Sequence, residues 1–181
     1  MSDKYKGRYR IESARLKSWD YGWNAAYFVT ICTHCREHYF GDIVDGRMQL
    51  SEIGQLANKY WLEIPKHFPF VELDAFVVMP NHLHGILVIN KPNDERHVET
   101  QNFASLPLGT QNKFGPQSQN LASIIRGFKI GVTKNARKIK PDFMWQARFY
   151  DHIIRNDESL FRIRDYIKSN PLKWAKDKFY E

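Results

Sequence analysis

The sequence predicts an α+β fold in which helices pack on an antiparallel sheet. Three observations predict it. Runs of β-branched and aromatic residues recur at 25–33, 71–79, 82–89 and 149–154. Between them lie stretches whose apolar residues repeat at helical spacing. Two of the strands are separated only by Pro80-Asn81, which marks a turn and makes them an antiparallel hairpin.

The elements follow in chain order. Residues 1–24 are basic and irregular, with Trp19 and Trp23 interspersed, and read as an arm. Residues 25–33 read as the first strand. Ser51 is a plausible N-cap for a helix whose apolar face is Ile53, Leu56, Ala57, Tyr60, Trp61 and Ile64. Pro65 is expected to end it. Residues 71–79 and 82–89 form the hairpin. Residues 90–119, rich in Asn, Gln, Pro, Thr, Gly and Ser, read as a mobile loop. A second helix is expected over 121–138, apolar at Leu121, Ile124, Ile125, Phe128 and Val132, and basic at Arg126, Lys129, Lys134, Arg137 and Lys138. After a strand at 149–154, a last helix begins near Asn156 with Asp157 and Glu158 in its first turn, where the helix dipole favours them. It ends at Asn170-Pro171, because a residue before proline resists helical geometry.

The chain of 181 residues suits one domain, 1–181, with the loop inside it. Hydrophobic residues make up 43%, which excludes disorder throughout. No apolar run approaches a membrane span, and the first ten residues have no signal-peptide core, so the expected location is the cytoplasm. Cys32 and Cys35 cannot build a disulfide framework, in keeping with a reducing compartment. A net charge of +7 favours a polyanionic partner.

The sharpest local feature is Met79-Pro80-Asn81-His82-Leu83-His84-Gly85. Side chains alternate along a strand, so His82 and His84 point to one face, where their imidazoles could converge on a metal ion. Taken alone, the pair also fits two histidines on a half-exposed strand. Tyr166 and Asn170 are four apart and share a helical face. Tyr166 lies about 90° off the centre of the Leu160, Ile163 and Ile167 stripe, at the edge of the buried face. Among nine tyrosines its nearest rival is Tyr150, beside Asp151 and His152. Cys32-Thr33-His34-Cys35 is a single CxxC with no matching second half, so the cysteines are expected to fill core space. A basic and aromatic segment follows: Trp145, Arg148, Phe149, Tyr150, Arg155, Arg162 and Arg164. Arginines grip phosphates and aromatics stack on unpaired bases, although such a segment also fits a solvated face over core aromatics.

The residues 76–85 resemble the HUH motif (histidine, hydrophobic, histidine) of single-tyrosine transposases. Residues 145–156 resemble the segment before the catalytic helix of that family, and Arg164-Asp165-Tyr166-Ile167-Lys168-Ser169-Asn170-Pro171 resembles the tyrosine helix. Ile124 to Lys129 and Tyr27 to Thr33 are similar as well. The group resembled is the REP-associated tyrosine transposases, relatives of the insertion-sequence-200-like transposases, and the likeness spans nearly everything outside 90–119. It implies a ferredoxin-like HUH endonuclease fold. It implies a metal-dependent single-stranded DNA endonuclease and strand transferase that acts at hairpin-forming repeats through a 5′-phosphotyrosine. His82 and His84 match the metal-binding histidines and Tyr166 the nucleophile. Asn170 stands where the insertion-sequence enzymes carry glutamine as a further metal ligand, so the third ligand is open. The implied cofactor is a divalent metal, Mg2+ or Mn2+, with two imidazoles suiting manganese better. The implied partner is single-stranded or hairpin DNA, contacted by Arg126, Lys129, Lys134, Trp145, Arg148, Phe149, Tyr150 and Arg155. His152 is a candidate for a supporting or DNA-contacting role. The resemblance admits a homodimer, and nucleoid association when DNA is bound. Two other readings stand beside it: a catalytically silent repeat-DNA-binding protein of the same fold, and a zinc-stabilised interaction domain using Cys32, Cys35, His82 and His84.

Overall fold

The structure is a computed structural model that describes residues 19–92, 118–177 and 179–180, together with two short paired strands, β1 (Lys4–Tyr5) and β2 (Arg8–Tyr9). Most of the expected arm, and the expected loop at 90–119 apart from its two ends, lie outside the described residues.

Four strands make the main sheet: β3 (Ala25–Cys32), β6 (Val71–Met79), β7 (His82–Ile89) and β8 (Tyr150–Ile154). Their order is β6-β7-β3-β8, and every pair is antiparallel. The fold is therefore α+β, with helices on an antiparallel sheet. β3 and β7 occupy the middle and are buried almost throughout, which explains their unbroken apolar runs. A separate hairpin joins β4 (Gly41–Val44) to β5 (Arg47–Leu50). Asp45 and Gly46 both have positive φ, 50° and 71°, as a tight hairpin turn demands.

One face of the sheet carries α1 (Glu52–Leu62) and α3 (Leu121–Ile139), whose Trp61, Ile124, Phe128 and Val132 join Val29, Ile31, Leu83 and Leu87 in the larger core. The caps form as expected: Ser51 Oγ accepts from the Gly54 amide at 3.0 Å, and Asn120 and Ser123 complete a capping box on α3. Pro65 does not end α1. The helix stops at Leu62, and Pro65 sits in the first turn of a short α2 (Ile64–His67), where a missing N–H costs nothing.

Gly85 shows how closely this face is packed. A Cβ there would come within 2.3 Å of Trp61 Cζ2, so the glycine after the two histidines is the seat of the α1 tryptophan. Gly85→Ala is expected to lower stability by about 1–3 kcal/mol through overpacking, read from urea midpoints at an unchanged slope.

The opposite face carries α4 (Asp157–Ser169). Its cluster is small: Phe28, Ile86, Ile154, Ile163 and Ile167. A polar clamp adds to it. Arg164 Nε donates to both oxygens of Asp74 on β6, at 3.0 and 3.1 Å. These hydrogen bonds hold the Asp74 carboxyl below the usual carboxylate range. A depressed folded pKa stabilises above the unfolded value of about 3.9 and loses that contribution as pH falls through the folded value. Asp74→Asn should therefore flatten part of the acid limb below about pH 4, and cost roughly 1 kcal/mol or less at pH 7 because the pair is partly exposed. Thermal melts between pH 3 and 7 check both. No helix among the described residues is long and apolar enough to cross a membrane.

Candidate active site

β7 begins with the two histidines. Their registers, Cys32 opposite His82 and Thr30 opposite His84, place both on the α4 side of the sheet. His82 Nε2 and His84 Nε2 lie 3.0 Å apart, and both rings are buried. Neighbours fix the rings. The Asn81 side-chain amide donates to the Phe179 carbonyl at 2.8 Å, so its oxygen faces His82 Nδ1, also at 2.8 Å. That nitrogen must carry the proton, and Nε2 of His82 then presents its lone pair toward His84. Thr30 Oγ1 meets His84 Nδ1 at 2.8 Å.

Tyr166 comes from α4, on the edge of its buried face. Its hydroxyl is 3.1 Å from His84 Nε2, and its ring stands edge-on to Phe28. The residue is 38% exposed. Burial, and then the Asp177 charge, push the phenol above its ordinary value, while the Asn170 side chain pulls the other way. The phenol is therefore protonated at neutral pH. Tyr150, the rival tyrosine, touches Phe28 at 6.3 Å and makes no hydrogen bond to either histidine.

Asn170 caps the C-terminal end of α4 and is 2% exposed. Its Nδ2 donates to Asp177 Oδ2 at 3.0 Å. Its Oδ1 is buried and has no hydrogen-bond partner among the described residues. Asp177 was not foreseen from the sequence. A helical turn, Pro171–Lys176, folds the chain back and buries Trp174, whose ring lies 5.9 Å from that of His82. Asp177 then closes on the pair, so that one ligand atom each of His82, His84 and Asp177 lie within 4.8 Å of one another. Phe179 packs its ring 4.6 Å from that of His82, with Arg36 stacked over it.

No protein-family model matches the chain. An uncharacterised protein of Haemophilus influenzae is 40% identical, over 99% of both chains. A second protein of that organism, provisionally named a REP-associated tyrosine transposase, is 31% identical over 75% of this chain and 70% of its own. The chain belongs to the REP-associated tyrosine transposase family. The fold agrees: a solved REP-associated tyrosine transposase bound to a REP hairpin superposes with a TM-score of 0.56 at 20% identity, covering 94% of this chain and 77% of that one.

In this member of the REP-associated tyrosine transposases, the donor set fits a divalent cation. The two imidazole nitrogens lie 3.0 Å apart, so both could bind one ion. The orphaned Asn170 Oδ1 and the Asp177 carboxylate would supply oxygens, the ligand type that Mg2+ and Mn2+ accept. The cysteines take no part. Cys32 is buried at the end of β3, Cys35 is exposed, and neither joins a metal-type cluster among the described residues.

The expected DNA-contacting residues divide. Trp145 turns inward, and the Lys129 amine is held by backbone carbonyls. The Trp145 indole packs against Phe40, Phe128 and Phe143 and donates to Thr133 Oγ1 at 3.1 Å. The Lys129 amine donates to the carbonyls of Gln146 and Arg148, and burial lowers its pKa to about 8. Lys129 nonetheless lines, with Arg126, Lys134, Arg148 and Phe149, a cavity of about 450 Å³ beside α3. Tyr150, His152 and Arg155 line another, of about 690 Å³, beside α4.

Proposed function

We propose that this protein is a metal-dependent single-stranded DNA endonuclease and strand transferase, acting at hairpin-forming repeats, with Tyr166 as nucleophile. The observation that carries it is the contact of Tyr166 Oη with His84 Nε2 at 3.1 Å and of His84 Nε2 with His82 Nε2 at 3.0 Å, two buried imidazoles reached by a partly exposed tyrosine. Family membership supports it, as does a hairpin-bound relative of the same fold.

His82, His84, Asp177 and the Asn170 carbonyl would hold the cation. When bound, it polarises the scissile phosphate and stabilises the charge of in-line attack. Tyr166 Oη forms a bond to phosphorus as the bond from phosphorus to the 3′ oxygen breaks. The phenol passes its proton to water, and the departing 3′ oxygen takes one from water, so no net proton is gained or lost. The products are a 5′-phosphotyrosine and a 3′-hydroxyl. Attack by a 3′-hydroxyl on that linkage rejoins the strand without ATP. α4, capped by Asn156 and clamped by Arg164 to Asp74, holds the phenol beside the histidines throughout.

The test uses labelled hairpin DNA with single-stranded flanks. With Mn2+ or Mg2+ a covalent protein–DNA adduct is expected; with chelator, or with plain duplex, none. Equal cutting of duplex overturns the reading. Tight hairpin binding with no adduct under any divalent metal returns the protein to the silent DNA-binding reading.

A further inference from the structure

The cavity of about 690 Å³ beside α4 is lined in part by Tyr150, His152, Arg155, Asn156, Glu158 and Arg162. Its volume lies within the roughly 300–1,000 Å³ of small-ligand sites. It sits along β8, which among the described residues pairs with β3 alone in the main sheet. Arg155 and Arg162 make no hydrogen bond or ion pair with any described residue. A site for phosphate alone would carry donors only, yet Glu158 and Asp151 also line this one. Burial, and then the two arginines, hold His152 below its ordinary value, so it is neutral at pH 7 and offers one donor and one acceptor. Donors and acceptors thus line the cavity together with Tyr150, which is 58% exposed. An unpaired base needs this combination: an aromatic face to stack on and mixed hydrogen-bonding groups for its edge.

The cavity also adjoins the nucleophile. The Phe28 ring stands edge-on to Tyr150 at 6.3 Å and to Tyr166 at 6.2 Å, so one aromatic ring separates the cavity wall from Tyr166.

We propose that this cavity receives one unpaired base of the strand that Tyr166 cuts, close to the scissile phosphate, and sets a base preference there. The inference rests on the single-strand activity proposed above.

Two measurements on the full chain test it. In the first, hairpin oligonucleotides carry 5-iodouracil at successive flank positions. They are irradiated with the protein in chelator, so that the strand stays intact, and the cross-linked peptides are read by mass spectrometry. One flank position is expected to cross-link to Tyr150 or His152. In the second, hairpins with randomised flanks are selected for retention on the protein, again in chelator, and sequenced. The native chain should show a preference at the cross-linking position. Tyr150→Ala and Arg162→Gln should flatten it and weaken retention about tenfold, while Tyr150→Phe keeps it. Cross-links confined to other segments, or a preference unchanged in Tyr150→Ala and Arg162→Gln, overturn the inference. A covalent adduct formed with no such preference sinks this inference alone. A chain that retains no single-stranded DNA sinks the proposed activity with it.

Discussion

Tyr166→Phe should bind hairpin DNA like the native chain and form no covalent adduct, with cleavage reduced at least about a thousandfold. The change removes one oxygen and keeps the ring, so the edge-on contact with Phe28 and the packing on His84 remain. The residue is partly exposed and one hydrogen bond is lost, so stability should move by less than about 1 kcal/mol. A melting curve separates that outcome from misfolding. Tyr150→Phe is the matched control and should form the adduct normally, because Tyr150 makes no hydrogen bond to His82 or His84. An adduct that survives Tyr166→Phe and disappears in Tyr150→Phe would transfer the nucleophile to the edge strand. Protein–DNA adducts resolved on denaturing gels, with the modified peptide sequenced, decide between them.

Much of the fold was legible because it rests on local periodicity. The period of two along β7 puts His82 and His84 on one face, and the structure has their Nε2 atoms 3.0 Å apart. The spacing of four between Tyr166 and Asn170 brings both toward that pair. The hairpin at 41–50 escaped this reading. Its turn residues, Asp45-Gly46, are a strong signal, but the flanking strands are only four residues each and partly exposed, so their alternation is weak. Asp177 escaped for a different reason. Its approach depends on where Trp174 is buried, which is a tertiary contact with no local signature. Trp145 packs inward, which the sequence did not show, because interleaved basic and aromatic residues have the same composition inside and outside. The Lys129 amine is held by a pair of carbonyls 17 and 19 residues away in sequence, a contact with no local signature.

The candidate metal ligands should differ in weight, and that order is the second large effect. His82→Ala removes an imidazole fixed by Asn81, and is expected to cost at least about a hundredfold in Mn2+ affinity and more in cleavage. His82→Gln, which keeps bulk between Phe179 and Trp174, guards against a folding defect. Asp177→Ala should cost about 10–100-fold, because it removes the charged oxygen from the cluster and leaves the Asn170 amide without its acceptor. Asn170→Ala should cost least, about tenfold, since its carbonyl is neutral. Calorimetric titration of Mn2+ into each variant measures the series, and the adduct assay should follow the same order. Asp177→Ala with native metal affinity would remove the tail carboxylate from the site. Asn170→Ala weaker than Asp177→Ala would make the helix-end carbonyl the third ligand and Asp177 only the group that orients it.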